Sequence, residues 1–264
     1  MAKKVLVLVE GQTDAWLVRK LYSLFLAQES RPVIIPYETD LYQLAELYKE
    51  GKDSGGSDFL DLQEALKERE RRLNRLTEDK ERVLDDQYTD RFLIFDFDPQ
   101  ASLYDEDSLL GLLDFFSDTT QNGKLYINYP MMESFRHYNK KFLDNCTKDP
   151  LFAELKFSRR DLESSGGRAF YKKKISDEGF THKRVTKRQF AFLIRQHIDK
   201  YADILGNQAG ENLFQQEKLR NFARIQAELY SRTKSAYVLN TALFLIADLY
   251  PSVWETAEKE LKVN

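Results

Sequence analysis

Five acidic positions have the types and spacing for hard-cation chemistry. The apolar run Val5 to Val9 ends at Glu10, and Asp14 follows one helical turn later. A second run, Arg91 to Phe95, ends in Asp96-Phe97-Asp98. A third, Lys124 to Asn128, is followed within a few residues by Glu133. Carboxylates held close together repel unless a divalent cation or a proton neutralises them. Mg²⁺ prefers oxygen ligands, keeps several waters and is often shared with a phosphate substrate. One or two such ions polarise a phosphodiester and activate water. In that scheme Asp96 and Asp98 are ligands, and Glu10 is a ligand or the general base. Two apart on an extended backbone, Asp96 and Asp98 are expected to share one face, with Phe97 turned into the core. Asp14 has a second reading as the cap of the first helix. Glu133 has one as a surface residue or a backbone hydrogen-bond acceptor.

Other chemistries are poorly supplied. The single cysteine, Cys146, excludes an intramolecular disulfide and a cysteine-built zinc or iron–sulfur site. His137, His182 and His197 form no i, i+4 pair, which argues against zinc. There is no Gly-x4-Gly-Lys-Ser/Thr, so any ATP hydrolysis would come from a partner. No Gly-x-Gly-x-x-Gly follows the first strand, which argues against a dinucleotide enzyme. A receiver-like or phosphatase-like use of Asp96 as nucleophile needs a lysine at a later strand end. Lys124 sits at a strand start instead.

The elements that must hold these acids follow from pattern. Val5–Val9 reads as a buried parallel strand. A helix starting at Thr13 or Asp14 shows an apolar face of Trp16, Leu17, Leu21, Leu24 and Phe25. Val33-Ile34-Ile35 is a short second strand, and Leu41, Leu44, Ala45 and Tyr48 repeat at helical spacing. Gly51 to Ser57 reads as a flexible break. A long charged helix is then expected over 58–86, with Leu62, Leu66, Leu73, Leu76 and Val83 on one seam interrupted by Arg69 and Lys80. That seam reads either as a solvated helix along the domain edge or as a coiled coil in a homodimer or with a partner. Strands at Arg91–Phe95 and Lys124–Asn128, with a helix over 107–116 between them, complete the alternation. The expectation is an α/β domain over 1–134: a small parallel sheet with helices on both faces and the helical insertion at 58–86. A mainly helical region follows over 135–264, with helices at 137–145, 190–202, 212–231 and 235–249. In such a sheet sites form beyond the carboxyl ends of the strands, where Glu10, Asp96 and Asp98 would meet.

With 264 residues, the chain can bury a sizeable core; 42% of them are hydrophobic and 31% charged. No apolar run approaches the roughly 20 residues of a membrane helix, and the N-terminus lacks a signal-peptide pattern. A cytoplasmic protein with no membrane partner is expected. The net charge of −3 hides an asymmetry. The basic segment 156–195 holds twelve Lys/Arg against four Asp/Glu, so the remainder is acidic. Within it Arg159, Arg160, Arg168, Lys172, Lys173, Lys174, Lys183 and Arg184 alternate with Phe157, Phe170, Tyr171 and Phe180. This reads either as a phosphate-tracking arm with aromatic platforms for unpaired bases, or as a solvated surface anchored by its aromatics.

Leu6-Val7-Leu8-Val9-Glu10-Gly11-Gln12-Thr13-Asp14 resembles the first motif of Toprim domains, an apolar strand followed by Glu-Gly-x-Thr-Asp/Glu. Phe92-Leu93-Ile94-Phe95-Asp96-Phe97-Asp98 resembles their Asp-x-Asp motif, in the same order. The resemblance covers residues 4 to about 134 and implies a Toprim-like, Rossmannoid fold. It implies Glu10 as general acid/base or ligand and Asp96 and Asp98 as Mg²⁺ ligands, with Mn²⁺ as a substitute. The Glu10–Asp14 spacing is similar to that of the two-metal OLD-type Toprim nucleases, which makes Asp14 a ligand as well. Tyr129-Pro130-Met131-Met132-Glu133-Ser134-Phe135 resembles a proline-plus-glutamate motif of small PARIS-type anti-phage Toprim effectors and their RloB-like relatives. That likeness implies a toxic nuclease acting on RNA, such as tRNA, or DNA, and held in check by an ABC-type ATPase partner. The competing expectation is a non-catalytic Toprim-fold module for nucleic-acid binding or assembly. Topoisomerases and primases of the family carry further domains that this chain lacks the length and cysteines to supply.

Overall fold

The computed structural model describes residues 3–26, 32–38, 40–53, 61–163, 171, 185–206 and 212–262. Its centre is a five-stranded sheet in the order β2-β1-β3-β5-β4. The strands are β1 (Val5–Val9), β2 (Val33–Pro36), β3 (Asp90–Asp96), β4 (Ser117–Asp118) and β5 (Gly123–Asn128). The first three and β5 pair in parallel, and the two-residue β4 closes the edge antiparallel to β5. Every residue of β1 is buried, as an apolar run in the middle of a parallel sheet requires. Gly123 opens β5 at φ 108°, where a Cβ would come within 2.7 Å of Leu93 Cδ1. Left-handed backbone and this close approach both call for glycine.

Helices flank the sheet. α1 (Gln12–Phe25) returns the chain from β1 to β2 and buries Leu17, Val18, Leu21 and Phe25. α2 (Leu41–Asp53) starts where Asp40 Oδ1 accepts the Tyr42 and Gln43 amides, both at 3.0 Å. It runs on through Gly51 to Asp53, so the expected break does not begin at Gly51. α5 (Glu106–Phe115) links β3 to β4 and is capped by Asp105.

The long helix expected over 58–86 is two helices, α3 (Leu62–Arg72) and α4 (Glu78–Leu84). Asn74 takes φ 53°, a left-handed conformation that asparagine tolerates and that no helix continues through. Thr77 then caps α4, its Oγ1 accepting the Lys80 amide. Gln63 Nε2 donates to Leu84 O (2.6 Å) and Asp86 O (2.9 Å), locking the two helices together. Leu62, Leu66 and Leu84 are buried, whereas Leu73 lies exposed at the turn. The continuous stripe that a coiled coil needs is therefore absent over 61–86.

Beyond β5 come a 3₁₀ turn (Met132–Arg136), α6 (Lys140–Asp144), β6 (Lys156–Ser158) and α7 (Arg159–Glu163). α8 (Lys187–Leu205), α9 (Gln216–Thr233), β7 (Ser235–Tyr237), a 3₁₀ turn (Ala242–Phe244), α10 (Leu245–Leu249) and α11 (Pro251–Lys262) complete the described chain. The helix expected over 137–145 shrinks to α6. The one expected over 235–249 is replaced by β7, a 3₁₀ turn and α10. Lys234 ends α9 at φ 54°, and Ser235–Tyr237 pairs antiparallel with β6. The run Ala242–Ile246 is buried on all sides, so it carries no helical period to read. One hydrophobic core joins residues from both sides of position 134, Phe95 and Ile127 with Phe190, Phe222 and Leu243 among them. Tyr129 and Leu239 also exchange backbone hydrogen bonds across this line, at 2.7 and 2.9 Å. Among the described residues no helix is long and apolar enough to cross a membrane.

Candidate metal centre

The sheet order places β2 on one side of β1 and β3 on the other, so the connections diverge between β1 and β3. In open α/β sheets, ligands bind beyond the carboxyl ends of the strands at such a switch point. A cavity of about 360 Å³ opens there, lined by Glu10, Asp14, Glu38, Asp40, Asp96 and Glu133 together with the Gly11–Thr13 turn and Met132. All its acidic side chains offer hard oxygen donors, and no lysine or arginine is among its lining residues.

Backbone ladders deliver these residues. Val9 pairs with Ile94, and the next rung is the Glu10 amide donating to Ile94 O at 3.1 Å. On the other side the Glu38 amide donates to Glu10 O at 2.9 Å. Glu10 then reaches sideways: its Oε2 accepts the Asp96 amide at 3.1 Å. Asp96 in turn accepts the Met132 amide through Oδ1 at 2.8 Å. Residues Glu10, Asp96 and the turn carrying Glu133 are thus tied into one chain of contacts.

Asp14 does two things at once. Its Oδ2 accepts the Gly11 amide at 2.9 Å, closing the first turn of α1 as an N3 carboxylate does in a capping box. Its Oδ1 is buried with no hydrogen-bond partner. Burial, then the charges of Glu10 and Glu133, push the Asp14 carboxyl up to about 7. A buried acceptor left unpaired costs about 1–3 kcal/mol, and more when charged. A cation in the cavity would offset the repulsion from Glu10 and Glu133 and give Oδ1 a partner.

Asp98 departs from the sequence expectation. β3 ends at Asp96, and Asp98 takes φ 36°, so the two aspartates do not continue one extended strand. Asp98 is buried but does not line the cavity. Phe97 between them is fully buried, its ring against those of Tyr104, Tyr129 and Tyr230. Among the described residues, no three Asp, Glu, His or Cys side chains form a ready-made ligand group. The acids Glu10, Asp14, Asp96 and Glu133 share a cavity; they do not converge on a point.

Sequence reasoning missed three contributions. Glu38 and Asp40 follow β2 as Glu10 follows β1, so the same strand-end rule finds them. Glu38 pairs at 2.6 Å with Arg75, from the turn between α3 and α4. The third is the clamp on the Glu133 turn. Asn240 Nδ2 donates to Met132 O at 2.7 Å, and the Asn240 amide donates to His197 Nδ1 at 3.0 Å. Burial and the Lys200 charge hold His197 well below the usual imidazole range. Nothing in the spacing of His197 and Asn240 announces this pairing across 43 residues.

The basic segment is described only in part. Arg159 and Arg160 lie exposed in the first turn of α7, where Arg159 pairs with Glu163 at 2.6 Å. Arg168, Lys172, Lys173, Lys174, Lys183 and Arg184 lie outside the described residues. No protein-family model, no curated protein and no solved structure matches the chain.

Proposed function

We propose that this chain is a Mg²⁺-dependent nuclease of Toprim type, hydrolysing phosphodiester bonds in RNA or DNA. The observation that carries the reading is Asp14: a buried carboxylate with an unpartnered oxygen, in an otherwise acidic cavity, at the switch point of a parallel sheet. An acid among acids gains most from a cation, which would give the unpaired oxygen a partner and offset the repulsion from Glu10 and Glu133.

The donor set suits a hard cation. Glu10, Asp14, Asp96 and Glu133 would hold it, with Mn²⁺ able to replace Mg²⁺; Asp98, which does not line the cavity, is left out of this set. The ion, when bound, supplies charge for a phosphoryl oxygen and for the attacking water. The chain's own part is positional. Glu10, fixed by the Asp96 amide, presents a carboxylate at the mouth of the cavity to accept a proton from water. The Asp96–Met132 contact keeps the Glu133 turn in register. The acidic lining repels a bare phosphate, so a bound cation would favour entry of the scissile phosphate into the cavity.

The motif likeness around Glu10, Asp96 and Glu133 supports a wider proposal: an anti-phage effector, toxic when released and controlled by an ABC-type ATPase partner. Arg159 and Arg160, with the basic residues that follow them in sequence, would hold the nucleic-acid backbone. The test is cleavage of plasmid DNA, single-stranded DNA and total tRNA with Mg²⁺, Mn²⁺ or EDTA. Cleavage that needs the cation and disappears in Glu10→Ala supports the reading and names the substrate. Equal cleavage by Glu10→Ala and Asp96→Ala overturns it. A chain that binds nucleic acid but neither cation is the non-catalytic module instead.

A further inference from the structure

A second cleft begins three residues beyond Asp96. It has a volume of about 360 Å³ and is lined by Gln100, Tyr104, Arg159, Tyr230 and Lys234, with Glu106 and Glu163 at its sides. That size falls within the roughly 300–1,000 Å³ of small-ligand pockets. We propose that this cleft takes one nucleotide, its base on Tyr104 and its phosphate on Lys234, beside the Arg159–Glu163 pair. The proposal rests on the nucleic-acid reading above and adds the subsite that seats the strand.

The wall is aromatic. Tyr104 is half-buried, held edge-on by Phe97 (centroids 5.8 Å apart) and Tyr42 (5.5 Å). Tyr230 packs against the same Phe97 at 6.2 Å. Tyr230 is buried and backs the wall, and Tyr104, fixed in this way, gives a base a rigid face to stack on, whatever its sequence. The cations stand beside them. Lys234 caps α9 in a left-handed conformation, its Nζ 6.0 Å from the Tyr230 ring centroid. The Arg159 amide donates to Lys234 O at 2.8 Å, which fixes the two cationic residues side by side.

The remaining lining suits the edge of a base. Gln100 Oε1 is buried without a hydrogen-bond partner. Glu106 adds acceptors, so the cleft offers oxygens to exocyclic amino groups. A pure phosphate site would have no use for these. Three residues extend at most about 10 Å. At roughly 3.4 Å per stacked nucleotide, the wall residue Pro99 lies within a few nucleotides' length of Asp96.

The test is fluorescence anisotropy in EDTA, with labelled twelve-nucleotide oligo(dA) and oligo(rA) as probes and unlabelled AMP as competitor. EDTA removes cation-dependent cleavage, so the readout is strand binding alone. A failed nuclease reading and a failed cleft therefore give different results. Tyr104→Leu is expected to weaken strand binding by about 5- to 150-fold, the effect of losing one stacked base. Lys234→Asn keeps the left-handed cap and removes one charge. It is expected to lower the salt slope of binding by about 0.7, one phosphate's worth on a single strand. If AMP displaces the strand and itself depends on both side chains, the cleft takes a free nucleotide by the same chemistry. Unchanged binding in either variant, or no wild-type binding to any probe, overturns the proposal. Thermal melting of both variants checks that they are folded.

Discussion

Two buried polar clusters sit within this core and are finished differently. Around α8 and β7 most polar groups are spent on backbone, although His197 Nε2 and Tyr201 OH stay buried without a partner. Lys200 Nζ donates to Phe152 O (2.7 Å) and Leu155 O (2.8 Å), with the Phe152 ring beneath it. Gln226 exchanges hydrogen bonds with the backbone of Tyr237 at 2.8 and 2.9 Å. Asn240 holds Met132 O and accepts the Leu243 amide. At the carboxyl edge of the sheet, by contrast, acids crowd acids and Asp14 keeps a buried oxygen unused. An unpaired buried polar group is costly in either place, but in the first cluster none of the unpaired groups is a carboxylic acid. The second cluster sets that cost on an acid among acids, which is a common mark of a site.

Variants should separate the two clusters by what they damage. The largest effect is expected at Glu10: Glu10→Ala lowers cleavage by about 10²–10⁴-fold, the usual worth of a positioned base, while its melting temperature stays close to wild type. Asn240→Ala should behave in the opposite way. Leaving Met132 O and the Leu243 amide unpaired costs about 2–3 kcal/mol. That lowers the melting temperature by about 4–12 °C for a chain of this size, and the loosened Glu133 turn lowers activity as a consequence.

The pH dependence of stability sharpens the contrast. Asp14 is raised from 3.8 to about 7, so between these values the folded chain binds more protons than the unfolded one. Stability therefore falls as pH rises through that window. Asp14→Asn should flatten this slope and stabilise the cation-free protein at pH 8 but not at pH 4, as read by denaturant midpoints. Lys200 is lowered from 10.5 to about 7, chiefly by burial. There the unfolded chain binds the extra proton, so stability rises with pH from about 7 to 10.5. Lys200→Met should remove that rise. The smallest effect is expected at the exposed α4 pair Arg82–Glu78, 3.6 Å apart. Arg82→Ala should change stability by less than about 0.5 kcal/mol.

The sequence showed much of the first cluster's opposite number and little of the first cluster itself. Apolar runs ending in acids located β1, β3, β5, Glu10 and Asp96, because strands buried on both faces leave a plain hydrophobic signature. Glu38 and Asp40 obeyed the same rule at the end of β2. Asp98 could not be placed by spacing, since the strand ends at Asp96 and Asp98 takes a left-handed conformation that Asp-Phe-Asp does not announce. The break at Asn74 was hidden by a leucine period that continues across it. His197 and Asn240 are single polar residues in helical or apolar stretches. Their roles come from tertiary pairing, which no local pattern encodes.

The most direct test of the acidic cavity is calorimetric titration with Mg²⁺ and Mn²⁺ at pH 6 and pH 8, in buffers of different ionisation heat. A cation that uses Asp14 must displace its proton. Binding should therefore release most of one proton at pH 6 and little at pH 8, and Asp14→Asn should abolish the difference. An absence of binding at millimolar Mn²⁺, or a proton release that Asp14→Asn leaves intact, would contradict the account.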